Sequence, residues 1–144
     1  MLFARPTEYA VRALSCLARR KPGQRVGARE ISRSEKIPGP FLWKILRLLR
    51  KGKVLRSCKG IGGGYELARP AEEITLGAVA RLTENTDFRH NCALGRPRCN
   101  SRNPCRLHYQ WKEIRAEVAG MLEETSLADL AATRRVGKPN RLRA

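Results

Sequence analysis

The residues best equipped for chemistry crowd into one short stretch. Cys92, Cys99 and Cys105 stand at C-x6-C-x5-C spacing, and His108 follows three residues after the last thiol. Thiolates ligate iron–sulfur clusters and zinc, and an imidazole completes either set. The paired C-x2-C spacing of zinc ribbons is missing, which weighs against structural zinc. Spacing alone leaves three readings open: an iron–sulfur centre, a zinc site, or metal-free thiols. Asn91, Gly95, Pro97 and Pro104 let the segment wrap around a metal. Arg89, Arg96, Arg98, Arg102 and Arg106 give it a positive field that favours thiolates and an anionic cluster. Cys16 falls on the apolar side of a helix and reads as core packing. Cys58 reads as an exposed bystander thiol and His90 as a surface histidine. Glu8 sits in a first helical turn, where a carboxylate suits the helix dipole.

A second constellation is electrostatic. The 144 residues hold 30 Lys and Arg against 13 Asp and Glu, a net charge of +17. Residues 1–70 carry 17 basic and 4 acidic side chains, whereas residues 71–144 carry 13 and 9. A field focused on one half suits a polyanionic partner such as double-stranded DNA, although ribosomal and membrane-surface proteins are basic too. Trp43, Lys44 and Arg47 share one face of a helix and are placed to meet base edges in the major groove. Arg50, Lys51 and Lys53 suit phosphates. Arg56 and Lys59 flank a glycine-rich turn that can reach a neighbouring minor groove or the backbone.

These residues need a frame, and the chain supplies one. The fold class expected is mainly α with a small β-wing: a winged helix-turn-helix followed by a long C-terminal dimerisation helix. Pro6-Thr7 opens a first helix with Thr7 as its N-cap, and Ala10, Val11, Leu14, Leu17 and Ala18 recur at helical spacing. A second helix is predicted near 28–34. A third runs from Pro40 to Lys51 and stops at Gly52, with Phe41, Leu42, Ile45, Leu46, Leu48 and Leu49 as its apolar residues. That is helix-turn-helix order. Strands over 53–57 and 65–68 flank Cys58-Lys59-Gly60-Ile61-Gly62-Gly63-Gly64 and form the wing. Thr75 caps a fourth helix over 76–84.

Residues 85–104 read as a loop too long to be structureless unless a metal organises it. A last long helix is predicted from Asn103-Pro104, putting Cys105 at its start and His108 on the same face. Leu107, Trp111, Ile114, Val118 and Met121, spaced four, three, four, three, form a seam suited to a partner helix. A short helix is expected over 126–132, and the basic tail from Thr133 reads as disordered. The division expected is 1–84 for the DNA-binding domain, 85–105 for the cysteine-rich cluster loop, 106–132 for the dimerisation region and 133–144 for the tail.

The chain resembles the IscR- and NsrR-like winged-helix regulators over roughly residues 1–132. Thr7 to Leu14 looks like the family's opening helix, and Ile31 to Ile37 with the helix after it like its reader. Lys59-Gly60-Ile61-Gly62-Gly63-Gly64-Tyr65-Glu66-Leu67 looks like its wing signature, and the three cysteines like its cluster ligands. The resemblance implies a DNA-binding homodimer holding an iron–sulfur cluster. IscR-like members use three cysteines and a histidine for a 2Fe–2S cluster, which matches Cys92, Cys99, Cys105 and His108. NsrR-like members hold a 4Fe–4S cluster with a carboxylate from the other subunit's first helix, which matches Glu8. The first cysteine gap is one residue longer than the family spacing, so both options stand. DNA affinity set by cluster state, sensing iron, redox state or nitric oxide, is the function implied.

Other classes fare worse. No nucleophile–base pairing is evident, and Gly60–Gly64 lacks the Gly-Lys-Ser/Thr ending of a phosphate loop, so no enzyme is expected. No stretch approaches a membrane span and the N-terminus has no export pattern, so a cytoplasmic protein is expected. The alternatives are a DNA-binding regulator with structural zinc, and an iron–sulfur carrier or electron-transfer protein.

Overall fold

In the computed structural model, residues 2–84 and 88–132 are described. The tail expected over 133–144 lies outside them, as do residues 85–87 of the expected loop. Helix α1 (Arg5–Ala18) is followed by α2 (Ala28–Glu35) and α3 (Gly39–Lys51), then by strands β1 (Leu55–Cys58) and β2 (Gly64–Leu67). A 3-10 turn (Ala71–Glu73) leads into α4 (Leu76–Glu84), and α5 (His108–Glu124) and α6 (Leu127–Ala132) complete the described elements. The architecture is mainly helical with one two-stranded antiparallel sheet, as expected. Helix α1 lies centrally and packs on α3, α4 and α6.

One core joins these elements. Ala10, Ala13, Leu14 and Leu17 of α1 meet Leu42, Ile45, Leu46 and Leu49 of α3 and Leu127 of α6, all buried. Burying a Leu or Ile side chain contributes about 1.5–3 kcal/mol, so this helical stripe is what fixes α3 against the body. Phe41 and Leu48, expected on the apolar side of this helix, remain exposed, because they lie on the flank of α3 rather than on its buried stripe. Cys16 is buried beside the Ser34 hydroxyl, as core packing requires.

Helix ends depart from the expectations in instructive ways. Thr7 does not cap α1; Ala4 occupies that position, and Thr7 is wholly buried inside the first turn. Its hydroxyl donates to the Glu84 carboxylate and lies 2.6 Å from Thr83 Oγ1, tying α1 to the end of α4. Helix α3 starts at Gly39, with Pro40 second. Gly52 follows α3 with an ordinary φ of −77°, and the left-handed residue is Lys53 at +57°. The bareness of Gly52 serves packing instead, since a Cβ there would stand 2.6 Å from the Leu82 methyls.

Two caps follow hydroxyl chemistry. The Ala78 N–H donates to Thr75 Oγ1 at 3.2 Å, as expected. Before α6, the Asp129 N–H donates to Ser126 Oγ while the Ser126 N–H donates to Asp129 Oδ2, a reciprocal capping box. The wing is paired in register from Leu55↔Leu67 to Cys58↔Gly64. Val26 adds a bridge to Tyr65 through hydrogen bonds of 3.0 and 2.8 Å, which anchors the wing to the segment before α2.

Helix α5 begins at His108, four to five residues later than expected, so Cys105 lies in the loop before it. The shift follows from Pro104 and the turns over 101–102 and 106–107, which break the helical run. The joint between α4 and α5 is polar: Arg81 pairs with Glu123, which also accepts from the Thr75 hydroxyl. That pairing, led by the Arg81 hydrogen bond, holds the Glu123 carboxyl below its usual pKa.

Candidate DNA interface and cysteine site

The four buried residues of α3 fall on one stripe, which turns the opposite side to solvent. Trp43, Lys44, Arg47, Arg50 and Lys51 are all exposed there, as expected of a reader helix. Trp43, Arg47 and Arg50 line a groove completed by the wing residues Ser57, Cys58 and Lys59. Trp43 also borders a second groove that holds Arg29 and Arg33 of α2. The indole therefore stands as a ridge between two arginine-lined troughs, an arrangement able to meet base edges with phosphates on either side. Lys53 is exposed just past α3, and Lys59 at the wing tip. Cys58 is half-buried rather than exposed.

Arg56 is not brought to this groove. Alternation along β1 turns it to the other face of the wing, beside Arg20, Lys21 and Arg69. There its Nε lies 2.9 Å from Glu66, which also receives Arg25 at 3.7 Å.

The cysteine loop is organised by hydrogen bonds that spacing does not announce. Cys92 accepts backbone N–H bonds from Leu94 and Arg96 and a bond from the Cys105 thiol. These donors, Leu94 first, pull the Cys92 thiol below its ordinary pKa against the opposing effect of burial. Cys99 Sγ lies 3.2 Å from Nδ1 of His108, whose Nε2 lies 3.1 Å from Ser101 Oγ. His108 is 2 % exposed, the most enclosed of the candidate ligands. Cys92, Cys99 and Cys105 are half-buried. His90 is exposed. Among the described residues no three His, Cys, Asp or Glu side chains are gathered in metal-binding geometry. The loop instead holds two pairs, Cys92 with Cys105 and Cys99 with His108. The donor set still fits a cluster in its chemistry, because N–H donors at a sulfur are what a ligating thiolate uses.

Glu8 makes no contact with these pairs among the described hydrogen bonds and ion pairs; it is half-exposed and 3.8 Å from Arg12 one turn along α1. Two residues that spacing did not flag complete the site: the Trp111 indole and the Arg115 guanidinium both donate to the Asn91 carbonyl. Of the expected seam, Leu107, Ile114 and Met121 are exposed and Trp111 and Val118 half-buried, whereas Ala119 and Leu122 turn inward.

Comparison with known proteins agrees with this geometry. The Rrf2 family, described as iron-dependent transcriptional regulator, matches residues 3–133. A relative from Aquifex aeolicus is 33 % identical over 132 residues, covering 90 % of this chain and 91 % of its own length. The HTH-type transcriptional regulator IscR of Serratia proteamaculans is 30 % identical over 122 residues, 85 % of this chain and 74 % of that protein. Among solved structures, CymR, the global cysteine regulator of B. subtilis, superposes with a TM-score of 0.79 at 22 % identity, covering 90 % of this chain and 95 % of that one. T. potens IscR does so with 0.70 at 23 % identity, covering 88 % and 83 %. The chain belongs to the Rrf2 family and is a winged-helix, DNA-binding transcriptional regulator, not an enzyme.

Proposed function

We propose that the protein acts as a homodimer whose grip on DNA is set by an iron–sulfur cluster held on Cys92, Cys99, Cys105 and His108. The observation that carries this reading is the pairing of the three thiols and one enclosed imidazole at the foot of α5. Similarity to IscR at 30 % identity supports it. A bound cluster supplies a centre that changes charge with redox state and is dismantled by oxidants or nitric oxide. The chain's own residues do the rest. Leu94 and Arg96 N–H groups steady the Cys92 sulfur, and Ser101 orients His108. His108 is the better fourth ligand within one chain, since Glu8 is engaged by Arg12. Glu8 of the partner subunit is the alternative, and it goes with a 4Fe–4S rather than a 2Fe–2S cluster.

Dimerisation is assigned to the exposed seam of α5, where Leu107, Ile114 and Met121 leave apolar surface uncovered in a single chain. Dimeric readers engage half-sites about 34–36 Å apart, so a small tilt of α5 changes how both heads fit. The chain's place of work would be the cytoplasm, beside its operator. Anaerobic purification followed by iron, sulfide and zinc analysis and an absorbance spectrum tests the cofactor. Iron with sulfide and visible charge-transfer bands is the expected result. Stoichiometric zinc, or thiols without metal, would replace it with a structural or thiol-based regulator.

A further inference from the structure

The Asn91 carbonyl is held twice. Trp111 Nε1 donates to it at 2.7 Å and Arg115 Nη1 at 2.8 Å, from positions one turn apart on α5. A carbonyl oxygen has two lone pairs, so the helix takes both. Arg115 is only 9 % exposed, and among the described residues no carboxylate lies within ion-pair distance. A guanidinium largely withdrawn from water without a counter-charge is costly, and a surface-pointing rotamer would avoid that cost. Its inward position therefore needs a reason beyond packing.

The reason lies in the next residue. Asn91 is joined to Cys92 by a planar peptide, so fixing the Asn91 oxygen fixes the nitrogen and Cα of Cys92. On its other side the Cys92 sulfur is held by the N–H groups of Leu94 and Arg96. The peptide before Cys92 is thus tied to α5, whereas its sulfur and its own carbonyl, which accepts from the Gly95 N–H at 3.1 Å, are tied within the loop. We propose that Arg115 and Trp111 are positioning residues that clamp Cys92 to α5, so that a change at the sulfur moves the helix rather than being absorbed by the loop. The inference rests on the cluster reading for its regulatory consequence, but the clamp belongs to the metal-free chain as well.

Two measurements on the full-length protein separate these parts. In metal-free protein, Arg115→Met should speed hydrogen exchange at the Leu94 and Arg96 amides about tenfold, with Arg115→Lys restoring most of the protection. Trp111→Phe, which keeps the ring and removes the donor, should act in the same direction if Arg115→Met fails to fold. Unchanged exchange in both variants would overturn the clamp. In cluster-loaded protein, the ratio of DNA affinities between loaded and metal-free forms should collapse toward unity in Arg115→Met and recover in Arg115→Lys. A purely structural arginine would lower the melting temperature and leave that ratio intact, which would overturn the proposal. A wild-type ratio of one would sink the cluster reading and leave the exchange measurement to decide the clamp.

Discussion

Replacing Gly64 by alanine tests how the wing is built. Gly64 opens β2 at a φ of +140°, and a Cβ there would stand 2.8 Å from both the carbonyl carbon and oxygen of Val26. These are backbone atoms, held by the two hydrogen bonds between Val26 and Tyr65, and they cannot swing aside as a side-chain tip does. The strained backbone costs about 1–3 kcal/mol. Displacing Val26 loosens two hydrogen bonds worth about 0.5–1.5 kcal/mol each. Gly64→Ala should therefore destabilise by roughly 2–6 kcal/mol, which for a chain of this size lowers Tm by roughly 6–30 °C. Gly62 is the control. It has a φ of +73°, but nothing lies within 4 Å of its would-be Cβ. Gly62→Ala should cost only about 1 kcal/mol, or roughly 3–5 °C. Thermal unfolding followed by circular dichroism compares the two. Equal losses would refute the claim that β2 needs a bare residue against Val26.

Other perturbations address the reader, the seam and the last helix. Arg50→Ala should weaken DNA binding evenly across sequences and reduce the slope of log affinity against log salt by about 1, measured by anisotropy from 50 to 200 mM salt. Arg47→Ala should instead relax the preference at one base pair, at about 1–3 kcal/mol. An unchanged slope for Arg50→Ala, or an even loss across sequences for Arg47→Ala, would move that residue off its role. Ile114→Asp, at 52 % exposure on the seam of α5, should leave a folded monomer in analytical ultracentrifugation, and a persistent dimer would place the interface elsewhere. The Asp129 carboxyl is held below its ordinary range by the N–H and hydroxyl of Ser126. A depressed carboxyl pKa contributes stability above the unfolded value near pH 4, lost as pH falls through the folded value. Asp129→Asn should therefore flatten the acid limb of the stability profile, and an unaltered limb would contradict the capping assignment.

Much of this architecture could be read from residue order, because its signals are local. The inward residues Leu42, Ile45, Leu46 and Leu49 of α3, the glycine run of the wing and the Thr75 cap each depend on neighbours a few positions away and were found where expected, whereas Phe41 and Leu48 fell outside the stripe. Long-range partnerships were not legible. Thr7 looked like a cap because hydroxyls favour helix starts, but its partner Glu84 stands 77 residues on, and burial against it won. Arg56 was grouped with the reader groove by proximity to the turn, whereas strand alternation places it on the wing's other face beside Glu66. Cys105 and His108 looked like neighbours on one helix face, but the break after Pro104 moved the helix start to His108. His108 lies against Cys99 there instead. Arg115 carried no signal in an amphipathic pattern, since a charged residue is normally assigned to the solvent side.

The most direct test compares one operator fragment against cluster-loaded and metal-free protein, prepared anaerobically and titrated side by side at fixed salt. Expected is at least a tenfold difference in Kd, about 1.4 kcal/mol, that vanishes when Cys92, Cys99 and Cys105 are replaced by serine. Identical binding curves for the two forms would leave a DNA-binding protein whose cysteines do not govern it.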